Sequence, residues 1–97
     1  MICVRLAMNV PDGAQQRALH LAAHKSFLRD GRLQVLLSGP VRDANGQQVG
    51  ALLVAEAPDL GAMETLCAAD PFTTNGVYYE VRFFEWTLTM GQAGPAL

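Results

Sequence analysis

The chain has 97 residues, a length that supports one domain. Hydrophobic residues make up 51% of it and charged residues only 16%, so a packed core is expected and disorder is not. The formal net charge is −2 and the seven Lys and Arg are scattered. This distribution excludes nucleic-acid binding by phosphate neutralisation and a polybasic membrane patch.

The first strand is predicted over residues 2–8, where large apolar side chains alternate with smaller or charged ones. Residues 14–30 lack Gly and Pro, which predicts a helix that ends at Gly31. At about 100° per residue, His24 falls in the arc of the large apolar side chains of this helix, away from its charged ones. His24 is therefore predicted to point inward.

A second strand is predicted over residues 33–38, and Gly39 with the proline after it should break that strand. The Asn-Gly pair that ends at Gly46 is the strongest local signal for a hairpin turn. Residues 49–57 then return as the third strand, antiparallel to the second.

The second helix is predicted to begin at Asp59, which suits the N-cap, and to end near Asp70, because a proline follows. The last strand is predicted over residues 77–89, with apolar or aromatic side chains on both faces. We therefore expect a single domain over residues 1–90 and a flexible C-terminal tail over residues 91–97.

The element order βαββαβ predicts an α+β, ferredoxin-like fold: a four-stranded antiparallel sheet with two helices on one face. The opposite face would then be uncovered and apolar, which is unusual for a monomer. The pattern therefore predicts a homodimer formed through the open sheet face. The residues expected on that face are Leu36, Leu53, Tyr78, Phe84 and Trp86.

His24 and Asp70 are the candidates for chemistry. An imidazole titrates near neutrality, so His24 can take or give a proton, although a core histidine with one satisfied hydrogen bond looks the same in sequence. A carboxylate at a helix C-terminus opposes the helix dipole unless a cation or an oriented histidine offsets it, although an Asp-Pro turn is the alternative for Asp70. If the two side chains meet, Asp70 would orient His24 as a general base.

Three further residues are predicted substrate contacts. Arg5 lies mid-strand, where it would bind a substrate carboxylate or pair with Glu80 or Glu85, and the pairing is slightly favoured. Ser38 and Gly39 would lie at the mouth of the site.

No cofactor is expected. His20 and His24 have the spacing of metal ligands, but no third ligand is evident, so no metal site is predicted. Neither nucleotide-binding glycine pattern is present. Cys3 and Cys67 are far apart and are expected to be reduced core residues. With no signal peptide and no apolar stretch of about 18 residues, a cytoplasmic location without membrane contact is expected.

Several short motifs in a fixed order resemble the YciI-like (YCII-related) family over most of the chain. They are His24, Gly31-Arg32-Leu33, Ser38-Gly39-Pro40, Ala68-Ala69-Asp70-Pro71-Phe72 and Gly76-Val77-Tyr78. The resemblance implies a dimeric α+β barrel of ferredoxin-like units, with a site holding a His and an Asp, matched here by His24 and Asp70. Some members of the family resemble lyases for chlorinated aromatic breakdown products, and related barrels include muconolactone isomerases.

Together these observations predict a small-molecule enzyme that uses His24 and Asp70 for proton abstraction, elimination or isomerisation on a small, aromatic-derived organic substrate. The alternative is a non-catalytic module of the same fold that binds or senses a small ligand.

Overall fold

The computed structural model describes residues 1–91, so the predicted tail lies outside the described residues except for Gly91. The elements in chain order are β1 (Ile2–Asn9), α1 (Ala14–Arg29), β2 (Gln34–Arg42), β3 (Gln48–Glu56), α2 (Leu60–Cys67), α3 (Pro71–Thr74) and β4 (Tyr78–Glu85).

The strands form one antiparallel sheet in the order β2-β3-β1-β4. Alternate residues of β1, beginning with Cys3, are buried. Cys3 belongs to a core that includes Met63 and Cys67 of α2, with Phe27 of α1 packed against it. Both long helices therefore cover the same face of the sheet. This is the ferredoxin-like α+β fold, and the prediction from element order is confirmed.

One predicted boundary is wrong because a proline was given too much weight. The second strand does not break at Gly39 but continues to Arg42, since β2 is an edge strand and an edge strand tolerates a proline. The second helix, predicted to end near Asp70, ends at Cys67, and Asp70 itself is extended, as expected for the residue before a proline. Asp70 then caps α3, with Pro71 in the first turn of that helix.

The last strand is shorter than predicted and ends at Glu85. At the start of β4 the pairing with β1 shifts register between Met8 and Asn9, and this irregularity places Tyr78 opposite Asn9. Such a shift changes which side chains share a face, and alternation in the sequence cannot reveal it.

The two faces of the sheet differ from the prediction in one respect. Leu53 and Tyr78, expected on the open face, lie on the helix-covered side, where Leu53 is part of the core and Tyr78 contacts Phe72. Phe84 lies on the open face as predicted, and Leu37 and Leu52 lie there with it; all three are exposed. It also carries the more apolar side chains of β1, so in this strand the uncovered face is more hydrophobic than the face that the helices cover.

None of the helices in residues 1–91 is both long enough and apolar enough to span a lipid bilayer.

Candidate active site

The Asp70 carboxylate is the centre of the site. Asp70 lies between α2 and α3, where the chain leaves the helical conformation before a proline, and it is 0% exposed. Its Oδ1 accepts hydrogen bonds from the Phe72 amide at 2.9 Å and from His24 Nδ1 at 2.7 Å. Its Oδ2 accepts a hydrogen bond from Arg5 Nη1 at 2.9 Å. One carboxylate therefore joins β1, α1 and α3.

His24 is the one buried residue of α1, whose full length the structure describes. Its ring stacks on Phe72, with 4.0 Å between ring centroids and 5° between ring planes. Because an ionised carboxylate only accepts hydrogen bonds, Nδ1 carries the hydrogen and Nε2 keeps its lone pair when the ring is neutral. Within residues 1–91, Nε2 has no hydrogen-bond partner, and it is not among the polar atoms sealed from solvent.

Arg5 projects from β1 toward the helices and is 1% exposed. The favoured prediction, a pair with Glu80 or Glu85, is wrong, because Arg5 forms its ion pair with Asp70 at 2.9 Å. The guanidinium carbon also lies 5.4 Å from the centre of the Tyr78 ring. The predicted contact between Arg5 and substrate stays a prediction.

Burial and the groups around Asp70 shift the pKa of its carboxyl in opposite directions. Burial alone would raise the pKa of Asp70, but the hydrogen bonds from His24 and Phe72 and the charges of His24 and Arg5 outweigh it and lower that pKa below its ordinary value. Asp70 is therefore an anion at neutral pH. It can orient His24 and stabilise the imidazolium that forms when His24 takes a proton.

Two other side chains beside Arg5 are kept in their neutral forms. Burial raises the pKa of Tyr78 to about 12, so its phenol keeps its hydrogen at cellular pH. Burial also raises the pKa of the Cys67 thiol, and a thiol kept protonated is a poor nucleophile. Neither side chain therefore offers a nucleophile at this centre.

Two clefts lie near the buried centre, although Arg5, His24 and Asp70 line neither of them. The smaller, of ≈ 250 Å³, reaches Phe72, the residue stacked on His24, and the larger, of ≈ 550 Å³, opens beside Asn9. Both are lined by Ala14, Arg17 and Gln48, so they meet along the first turns of α1.

Ser38 and Gly39 are not brought to this centre within one chain. Ser38 lies in register with Leu53, which lies in register with Arg5, so two strand spacings, about 10 Å, separate Ser38 from Arg5. Both residues line a cleft that also includes Leu37 and Leu52 of the open face. Their role in substrate binding stays a prediction.

A metal centre has no ligand set in the described part of the chain, where no three His, Cys, Asp or Glu side chains are grouped closely enough to hold an ion. His20, one turn before His24, lies on the partly exposed surface of α1.

Two residues at the site were missed by the sequence analysis. Phe72 was noted only as part of a motif, although a side chain two positions after Asp70 is well placed to pack on whatever Asp70 binds. Arg17 precedes His24 by seven residues, which is two helical turns, and that spacing places both on one helix face.

Comparison with known proteins gives a family and a fold. A family model described as the YCII-related domain matches residues 1–87. No curated protein matches the chain.

Two solved structures illustrate the fold. The first is 5-chloro-2-hydroxyhydroquinone dehydrochlorinase (TftG) from Burkholderia phenoliruptrix AC1100 in complex with 2,5-dihydroxybenzoquinone, with 23% identity and a TM-score of 0.80 over 90% of this chain and 94% of that one. The second is HapK from Hahella chejuensis, with 16% identity and a TM-score of 0.54 over 97% of this chain and 100% of that one. At these identities the likeness shows a shared fold.

Proposed function

Because the chain belongs to the YCII-related domain family, we propose that it is a small-molecule enzyme that performs acid–base chemistry without a cofactor. His24 is the general base and acid, and Asp70 orients it. The observation that carries this proposal is the 2.7 Å contact between His24 Nδ1 and Asp70 Oδ1, which leaves Nε2 free.

The reaction begins when Nε2 takes a proton from a substrate atom next to the carbon that bears a leaving group. The electrons of the broken bond form a new double bond, and the leaving group departs as an anion with its bonding pair. The imidazolium then releases its proton to water. In an isomerisation the same imidazolium returns its proton to a different carbon of the substrate, and nothing is lost.

Asp70 and Arg5 support this cycle through the groups that they hold in place. Asp70 fixes the tautomer of His24 and stabilises the cation that forms during the reaction. Arg5 offsets the charge of Asp70 in a site from which water is excluded, so the carboxylate stays ionised.

The substrate class is proposed from the structural neighbour. TftG is a dehydrochlorinase whose structure holds 2,5-dihydroxybenzoquinone, and its fold matches this chain over nearly the whole of both. We therefore propose a small hydroxylated, aromatic-derived substrate for this protein. A cytoplasmic location, where the buried thiols of Cys3 and Cys67 stay reduced, is proposed with it.

A non-catalytic binding module is the second candidate, and one observation favours it. Phe72 covers one face of the His24 ring, and only 10% of the His24 side chain is exposed. If this candidate is right, the protein will bind 2,5-dihydroxybenzoquinone and related compounds without converting any member of the series.

The deciding experiment follows turnover of hydroxylated and chlorinated hydroquinones by chloride release and by proton NMR in deuterated buffer. We expect the wild-type protein to turn over at least one compound and His24→Gln to lose that activity. His20→Gln is the matched control, because His20 lies one turn away on the same helix, and it should keep the activity. Equal rates in the wild type and His24→Gln would contradict the proposal.

We also propose that the protein is a homodimer assembled through the open sheet face. Leu37, Leu52 and Phe84 expose a large part of their surfaces there, on a face that no helix of the described chain covers. An exposed apolar patch of this kind is typical of a protein interface.

Leu52→Glu is expected to convert the dimer to a monomer, because a charge at the centre of an apolar interface must be desolvated without a partner. Light scattering coupled to gel filtration measures the mass. Leu19→Glu is the control, since Leu19 is 70% exposed on α1, away from the open face. A wild-type protein with the mass of one chain would refute the dimer.

A further inference from the structure

Beyond the catalytic pair, a second group of polar atoms lies along β1 and the start of β4, on the helix-covered side of the sheet. Three buried polar atoms have no hydrogen-bond partner among the described residues: Arg5 Nε, Asn9 Nδ2 and Tyr78 Oη. All three can donate a hydrogen bond. Tyr78 adjoins the other two residues, since it is the strand partner of Asn9 and its ring lies beneath the Arg5 guanidinium.

Unpaired donors of this kind are costly in a folded protein. Asn9 is 7% exposed and lines the larger cleft. Its Nδ2 is sealed from solvent and has no acceptor within residues 1–91, so a turn of this amide toward the cleft would let a ligand oxygen satisfy the donor. The ligand atom that satisfies such a donor best is an oxygen, above all a charged one.

Arg17 supplies the charge that such an oxygen needs. It lines both clefts, and within residues 1–91 it forms no ion pair. Arg17 and His24 lie on one face of α1, separated along the helix axis by about 10 Å. A small molecule in the smaller cleft could therefore meet Arg17 at one end and Phe72, which stacks on His24, at the other.

We propose that Arg17 and Asn9 form the anchoring subsite for an ionised oxygen of the substrate, so that the enzyme selects small organic anions. This inference rests on the proposed function and deepens it by giving the charge of the substrate. The anionic oxygen belongs either to a carboxylate or to the ionised hydroxyl of a quinone-like ring. Arg17 is a specificity-determining residue, and it takes no proton in the reaction.

Two matched pairs of probes test the subsite by calorimetric titration. The first pair is 2,5-dihydroxybenzoquinone, which ionises, and 2,5-dimethoxybenzoquinone, which cannot. The second pair is benzoate and benzamide. We expect the wild type to bind one anion more tightly than its neutral partner, and the pair that shows the preference identifies the source of the anionic oxygen.

Variants at Arg17 then test whether this residue causes the preference for the anion. Arg17→Gln is expected to weaken binding of the preferred anion about tenfold and to leave its neutral partner unaffected, since a charge-assisted hydrogen bond is lost. Arg17→Lys should recover part of the loss. Arg29→Gln, an exposed site on the same helix outside both clefts, should match the wild type. No anion preference in the wild type, or an unchanged preference in Arg17→Gln, would overturn the proposal.

Asn9→Val separates a binding role from a packing role. Because Asn9 Nδ2 has no partner in the described structure, its removal should not lower the melting temperature, whereas affinity for the preferred anion should fall. Unchanged affinity would overturn the assignment of Asn9.

Titration of His24→Gln keeps this inference distinct from the catalytic proposal. We expect that variant to lose turnover and to keep the anion preference. If the wild type converts none of the compounds yet shows an anion preference that depends on Arg17, the catalytic proposal fails and the subsite stands. If turnover depends on His24 while Arg17→Gln changes no affinity, the subsite fails and the catalytic proposal stands.

Discussion

Arg5→Met is expected to lower the free energy of unfolding by about 3–5 kcal/mol. The change removes the charge that faces the Asp70 carboxylate, and both side chains are sealed from water at 1% and 0% exposure. Water cannot enter to replace the lost partner, so the anion left behind bears the cost of desolvation. The methionine fills most of the space, so loss of packing adds little.

Urea denaturation measures this loss, and two further variants identify its cause. In Arg5→Met combined with Asp70→Asn no net charge is left buried, so part of the stability should return. Arg32→Met removes an arginine whose side chain is 74% exposed and should change stability by no more than about 0.5 kcal/mol. A loss in Arg5→Met as small as that in Arg32→Met would show that the buried pair contributes nothing.

Asp70→Asn is expected to slow turnover by about 10²–10⁴-fold, provided the catalytic proposal holds. An amide in place of the carboxylate can turn its NH₂ group toward His24 Nδ1, which then accepts a hydrogen bond instead of donating one. The ring hydrogen moves to Nε2, and the lone pair that takes the substrate proton is lost. The imidazolium also loses its anionic partner.

Rate and stability of Asp70→Asn must be measured together, because the same carboxylate caps α3 and pairs with Arg5. The pKa of Asp70 is lowered in the folded protein, so its ionised form contributes stability that is complete above the ordinary pKa of 3.8 and is lost as the pH falls through the lowered value. Asp70→Asn should lack this acid-induced loss. A variant with wild-type turnover at neutral pH would rule out the orienting role.

Local signals in the sequence predicted most of the fold. Gly31 and Gly46, read as a helix stop and a hairpin turn, have the positive φ values of 88° and 78° that glycine tolerates. Asp59, predicted as an N-cap, accepts a hydrogen bond from the Ala62 amide at 2.7 Å. Each of these features depends on a few neighbouring residues, which is why a single sequence reveals it.

The site depends on contacts that no local pattern encodes. Arg5 and Asp70 are 65 residues apart and meet only because α2 returns the chain to the middle of β1. The helical periodicity correctly predicted that His24 points inward. Alternation along β1 could not show that Arg5 is the strand residue that pairs with Asp70. Ser38 and Gly39 lie on an edge strand, away from the site. Their position follows from the strand order, which is decided by pairing between segments that are distant in sequence.

The irregular course of β2 has a consequence for how copies of the chain can associate. This outer strand carries a bulge between Val35 and Leu37 and the ring of Pro40, two features that spoil the row of donors and acceptors a further strand would need. These features disfavour the addition of a further strand along β2, which is a route to open-ended aggregation. The proposed dimer through the open sheet face differs from such growth, because one docked partner would cover the patch and close the contact.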